Sequence, residues 1–157
     1  MYSKGHTGLS LLISSLFMFP FGYSEYALFV IFISAAFSAL PDFDMKWRQY
    51  GIKHRGKHTH SILFAFISSL ILGAIFFWAF RTILWSLIGF SGTFIGVISH
   101  LLGDTLTYHA FKPLWPISDR EIAYGFCTAK DPKVNELLLI AGIIVFVLYF
   151  LITSNSF

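Results

Sequence analysis

The sequence predicts an all-α fold, a polytopic membrane bundle of about five helical segments. Three observations carry that expectation. Charged residues make up only 12% of the chain against 56% hydrophobic ones, whereas a soluble domain needs about 25% charged residues to keep its surface in water. Mean hydropathy is +0.72. The apolar residues fall in long runs separated by short polar breaks, and 19 of them are Phe, more large rings than a compact soluble core of this size can use. At 157 residues, one domain spanning residues 1–157 is expected.

The first run, Leu9–Phe21, reads LSLLISSLFMFPF; GYSE then breaks it, and Tyr26–Leu40 forms the second. Both are shorter than the roughly 20 apolar residues of a full crossing, so they either cross inside the bundle or dip in and return as a hairpin. No small-x-small cleavage pattern follows the first run, and Pro20-Phe21 stands where one would be, so an uncleaved first helix is expected. Ile62–Phe80 and Ile83–Gly103 contain no Lys, Arg, Asp or Glu and are separated by Arg81-Thr82. These are full spans. Leu137–Ile152 is the fifth segment, preceded by Asn135-Glu136.

Lys and Arg orient the bundle. With the N-terminus cytoplasmic, the inner side holds Lys4, Lys46, Arg48, Lys53, Arg55, Lys57, Lys112, Arg120, Lys130 and Lys133, and only Arg81 lies outside. Ten against one is a strong positive-inside bias. The formal charge of +3 is explained by this distribution and does not imply a nucleic-acid partner; the implied partner is the lipid bilayer. The single cysteine, Cys127, excludes an internal disulfide.

The same map brings the chemistry to one face. His6 begins the first segment, Asp42 and Asp44 (in LPDFD) end the second, HRGKHTHS from His54 to Ser61 enters the third, and His100 and Asp104 (in SHLLGDTLT) end the fourth. All four positions fall on the cytoplasmic side. His100 and Asp104 are four apart and project from one helix face. Taken singly, each has an ordinary reading: Asp42 as a turn carboxylate, Thr59 as a helix cap, His100 with Asp104 as a pair joining helices. Together they describe a polar site. Imidazole with carboxylate suits zinc or manganese better than magnesium or calcium, so a divalent metal is expected, zinc first and manganese as the alternative, as one or two ions. His109 has no such company. The loop from His109 to Asn135 either lies on the bilayer surface or covers the site.

The ordered motifs, His6, LPDFD, HRG…THS and SHLLGD, followed by PLWPIS, resemble the LexA-regulated inner-membrane family of metal-dependent hydrolases, itself distantly similar to zinc-dependent phospholipase C. The resemblance runs from His6 to about Pro116. It implies phosphoester hydrolysis, of a lipid or another amphiphile given the depth of the site. The matching positions are His6, Asp42, Asp44, His54, Arg55, Thr59, His60, Ser61, His100 and Asp104. The family carries one residue between HRG and THS, whereas Lys57 and His58 stand there here. Anchoring on the helix start makes His60 the ligand and leaves His58 as a second candidate.

On this basis His6, Asp42, His60, His100 and Asp104 are expected as metal ligands. Asp44 is expected as the catalytic residue, bridging metals or accepting a proton from water, and His54, Arg55 and His58 as substrate contacts. A guanidinium fork suits phosphate. Two other functions stand beside hydrolysis: a metal-ion or proton transporter, since such pathways use intramembrane His and Asp, and a scaffold whose polar cluster only orders the bundle.

Overall fold

The computed structural model describes residues 1–44 and 56–155. His54 and Arg55 therefore lie outside the described residues. Among those described, five α-helices follow one another: α1 Ser3–Met18, α2 Glu25–Phe37, α3 Ile62–Phe80, α4 Ile83–Thr105 and α5 Pro132–Ser154. No strand forms among the described residues, only two isolated bridges in the α4–α5 loop, Thr107 with Cys127 and Phe111 with Ile122.

Local chemistry sets the helix ends. Ser24 caps α2 by accepting from Ala27 N–H at 3.1 Å, and Ser61 caps α3 by accepting from Phe64 N–H at 3.3 Å, each satisfying one of the open first-turn donors. The cap of α3 is thus Ser61 and not Thr59. Asp131 caps α5, accepting from Lys133 and Val134, with Pro132 at the first helical position. This start is five residues earlier than the apolar run at Leu137 suggests, because the first turn of α5 is polar but well capped. A 3₁₀ turn at Phe19–Phe21 and Gly22 at φ 71° reverse the chain between α1 and α2.

Among the described residues four segments are long and apolar enough to cross a membrane: Glu25–Phe43, Ile62–Phe80, Ile83–Thr105 and Pro132–Ser154. Helix α1, at 16 residues, spans about 24 Å at 1.5 Å per residue, short of the roughly 30 Å hydrocarbon core. It lies against α5, α2 and α4; α3 packs on α4, and α2 on α4.

The packing is that of a bundle in lipid. Phe66, Ile71, Trp78, Ile83, Ile140 and Leu151 point outward, while Ser10, Ser14, Ser34, Ser69, Thr93 and Ser99 are fully buried. Where the surrounding solvent is hydrocarbon, burying a Leu gains little, so interfaces select small residues that let backbones approach. Gly8 and Gly142 meet in this way, and a Cβ on either would collide with the other helix's backbone. Gly96 of α4 rests on the Ser34 carbonyl of α2 for the same reason. At the end of the bundle away from the His and Asp residues, Tyr149 packs with Ala27 and Ile31 and donates its hydroxyl to the Gly22 carbonyl at 2.9 Å.

Candidate metal centre

The end of the bundle where α1 begins, α2 and α4 finish and α3 starts gathers the buried ionisable side chains. His6 sits in the first turn of α1, on a buried face with Gly5 and Ser10. Asp42 lies in the 3₁₀ turn Pro41–Phe43 that follows α2, and Asp44 caps that turn. His60 is held by a turn in which its N–H donates to the Gly56 carbonyl at 3.0 Å, one residue before the cap of α3. His100 and Asp104 occupy adjacent turns of one α4 face. His6, Asp44, His60, His100 and Asp104 are all 0% exposed.

Four atoms from four different positions converge. His60 Nε2 and His100 Nε2 are 3.3 Å apart. Asp104 Oδ2 is 3.6 Å from the first and 3.5 Å from the second. Asp42 Oδ1 is 3.7 Å from both. These five separations run from 3.3 to 3.7 Å and form two triangles that share the His60–His100 edge, one closed by Asp42 and one by Asp104. Ligands at 2.0–2.2 Å from one tetrahedral ion lie about 3.3–3.6 Å from each other, so in spacing and chemistry the two imidazoles with a carboxylate are compatible with a divalent ion such as zinc.

The two carboxylates turn their other oxygens toward His6. Its Nε2 is 3.5 Å from Asp104 Oδ1 and 4.0 Å from Asp42 Oδ2. Neither ring nitrogen of His6 makes a hydrogen bond, and the ring stacks on His100 with centroids 3.7 Å apart. The Met1 ammonium donates to Asp104 Oδ1 at 2.6 Å, so a positive group already lies beside that oxygen. His6, His100 and Asp104 form one candidate metal group, and Asp42, His60 and His100 a second.

The imidazoles are oriented from behind. His100 Nδ1 donates to the Ser38 carbonyl at 2.7 Å; a carbonyl can only accept, so in the neutral ring Nε2 carries the lone pair. His60 Nδ1 lies 3.0 Å from Thr59 Oγ1 and 3.3 Å from Asp44 Oδ2, and Thr59 in turn donates to Asp44 Oδ2 at 2.8 Å. These partners leave both Nε2 atoms facing carboxylate oxygens. Lone pairs and negative charge aimed at one buried point are costly unless a cation compensates them. For His60, burial opposes protonation, but the Asp42 and Asp44 carboxylates, with Asp104, outweigh it and raise its pKa above the ordinary imidazole value.

The other expected residues divide. Asp44 Oδ2 lies on the Nδ1 side of His60, opposite the Nε2 atom that meets His100. His58 is exposed and meets the Trp115 ring edge-on at 5.2 Å, apart from the cluster. His54 and Arg55 lie outside the described residues. Two features escaped the sequence reading. The Ser38 partner of His100 is a backbone carbonyl, which no residue type signals. Phe111, 2% exposed, approaches His60 edge-on at 6.0 Å and covers the cluster from the α4–α5 loop; its burial depends on that loop folding back, which Pro113 secures by accepting from Ile62 N–H at 2.8 Å.

No curated protein and no solved structure matches this chain. The family model described as YdjM inner membrane protein matches residues 1–156, and with its membrane-crossing helices the chain belongs to the YdjM inner membrane protein family.

Proposed function

We propose that the chain is a membrane-embedded, metal-dependent hydrolase acting on phosphoester bonds in a lipid or similar amphiphile. The observation that carries this reading is the convergence of His60, His100, Asp42 and Asp104 in a buried site at helix ends, with the two Nε2 atoms 3.3 Å apart and each within 3.5 to 3.7 Å of both carboxylates. His60, His100, Asp42 and Asp104 would hold divalent metal, zinc first with manganese as the alternative, as one or two ions. His6, with Asp104 and His100, would be the residues to hold a second ion, in exchange for the Met1 ammonium now beside Asp104.

When bound, a divalent ion would supply Lewis acidity and activation of water near neutral pH. The protein's own residues do the rest. Asp44 and the Ser38 carbonyl hold the two imidazoles in the tautomer and orientation that present Nε2, as partners behind metal-ligating histidines generally do. Phe111 keeps bulk water from the His60 side. Asp42, whose side chain is 14% exposed against 0% for its neighbours, marks the side from which a substrate enters. His54 and Arg55 remain the proposed phosphate contacts, with His58 as a further candidate. The phosphoester itself is suggested by the motif resemblance to LexA-regulated inner-membrane hydrolases and, distantly, to zinc-dependent phospholipase C. The distribution of Lys and Arg supports a cytoplasmic N-terminus, with the site at the inner leaflet.

The test is metal analysis of purified protein followed by hydrolysis of phospholipid vesicles, with His100→Ala and Asp104→Ala compared with the parent. Loss of both metal and hydrolysis is expected. Full occupancy with unchanged hydrolysis in both variants refutes the reading. Transport of metal ions or protons is a second reading, favoured by one observation: fully buried hydroxyls continue along the helices from the cluster, with Ser10 and Ser34 bonded at 2.7 Å and Thr93 Oγ1 unpartnered. Ion flux in proteoliposomes separates it from hydrolysis.

A further inference from the structure

The loop between α4 and α5 exposes three aromatic rings where a soluble loop would carry polar groups. Tyr108 is 65% exposed, Tyr124 64% and Phe126 76%. They form one cluster. The Tyr124 and Phe126 rings stack with centroids 6.0 Å apart. Between them Gly125 takes φ +66°, and a Cβ there would stand 2.9 Å from the Tyr108 ring, so Tyr108 lies over the Gly125 backbone. Tyr124 and Phe126 flank Gly125 and their rings come together on one side of the loop.

The height of this cluster is fixed by the backbone. Tyr124 N–H donates to the Thr105 carbonyl at 2.7 Å, Gly125 to Thr107 at 3.3 Å, and Phe126 and Cys127 to Leu106 at 2.9 and 3.2 Å. The rings are thereby tied to the last turn of a 23-residue apolar helix, about 35 Å long at 1.5 Å per residue and so long enough to bring this end to the edge of the hydrocarbon. The cluster also continues the exposed apolar face of α4. Leu102 is 49% exposed on α4, Leu106 follows one turn later on the same face, and the Phe126–Cys127 backbone docks at Leu106. Tyr and other amphipathic rings at such a level are the usual interfacial anchors of membrane proteins.

We infer that Tyr108, Tyr124 and Phe126 form an interfacial anchor that seats the α4–α5 loop in the headgroup layer of the leaflet bordering the His/Asp cluster. Phe126 reaches the upper acyl region, and the two Tyr hydroxyls stay among the headgroups. The partner is the bilayer itself. Within 106–131 the charges balance, Lys112, Arg120 and Lys130 against Asp119, Glu121 and Asp131, so the anchor works through apolar surface and does not depend on anionic lipid. The inference needs neither a bound metal nor hydrolysis.

The test uses the full chain in lipid nanodiscs. Cys127, the one cysteine, is replaced by Ser, and a nitroxide is placed at Phe126→Cys or Ala123→Cys; accessibility to oxygen and to a water-soluble nickel complex is calibrated with nitroxide lipids of known depth. At residue 126 the oxygen-to-nickel ratio is expected several-fold above that of a label in water, at the depth of the first acyl carbons. At residue 123, with the three rings intact, a headgroup-level ratio is expected, falling to the aqueous value in Tyr108→Ser/Tyr124→Ser/Phe126→Ser. Aqueous ratios at both positions overturn the inference. So does shielding from both reagents with dipolar broadening between copies, which would mean a second chain covers the cluster. If the triple variant fails to fold, the labels at 123 and 126 on the otherwise intact chain still decide.

Discussion

Asp44→Asn is the most discriminating substitution, because it preserves shape while removing the charge behind His60. In the native arrangement Asp44 Oδ2 accepts from Thr59 Oγ1 at 2.8 Å and lies 3.3 Å from His60 Nδ1, with Asp44 and His60 both fully buried. A hydrogen bond to a charged group contributes about 1.5–3 kcal/mol. Asn keeps an acceptor, so part of that survives, and the loss should fall near 1.4–2.7 kcal/mol, a roughly 10- to 100-fold weakening of metal affinity, as for partners behind metal-bound histidines generally. The assay is competitive zinc titration against a chromophoric chelator, with protein in nanodiscs. His100 serves as an internal reference, since its own orienting partner is the Ser38 carbonyl and is untouched. An affinity within twofold of the parent refutes the orienting role. Unchanged affinity with abolished hydrolysis would instead return Asp44 to the place of a proton acceptor.

Three further expectations follow from particular contacts. His60→Ala should lose metal that His58→Ala retains, measured as metal per protein by mass spectrometry, because His60 is enclosed in the cluster whereas His58 is exposed beside Trp115; equal losses would contradict the assignment. Gly142→Val should destabilise the α1–α5 contact by about 1–3 kcal/mol, the usual range for overpacking, since its side chain would strike the Gly8 backbone; a thermal melt in detergent equal to the parent's would show that the helices can separate without cost. Chelation should lower the melting temperature, a metal at about 100 times its Kd contributing about 2.7 kcal/mol, and His100→Ala should abolish the difference between chelated and loaded protein.

The helices were legible because lipid imposes a simple rule: a run with no Lys, Arg, Asp or Glu has few alternatives to spanning as a helix. Ile62–Phe80 shows this, with the same limits in sequence and structure. The ends that shifted are those where apolarity stops before the helix does. Helix α1 begins at Ser3 and not Leu9 because Gly5, His6 and Gly8 face protein instead of lipid; α5 begins at Pro132 because Asp131 caps it. The level at which His6, Asp42, His60, His100 and Asp104 meet was legible from helix direction alone. Their arrangement within that level was not. Which imidazole nitrogen faces inward depends on a backbone carbonyl and on the turn through Gly56, and the side of His60 that Asp44 takes depends on the fold of that turn. The cover over His60 comes from a loop whose pairing, Phe111 with Ile122, has no periodic pattern to announce it.

The central claim is a cation held between His60, His100, Asp42 and Asp104, and zinc K-edge X-ray absorption on protein purified without chelator tests it most directly. A shell of nitrogen and oxygen atoms at about 2.0–2.2 Å with imidazole scattering from at least two rings, lost in the His60→Ala/His100→Ala double variant, is the result expected. Protein that carries no metal, or a metal shell unchanged in that double variant, would contradict it.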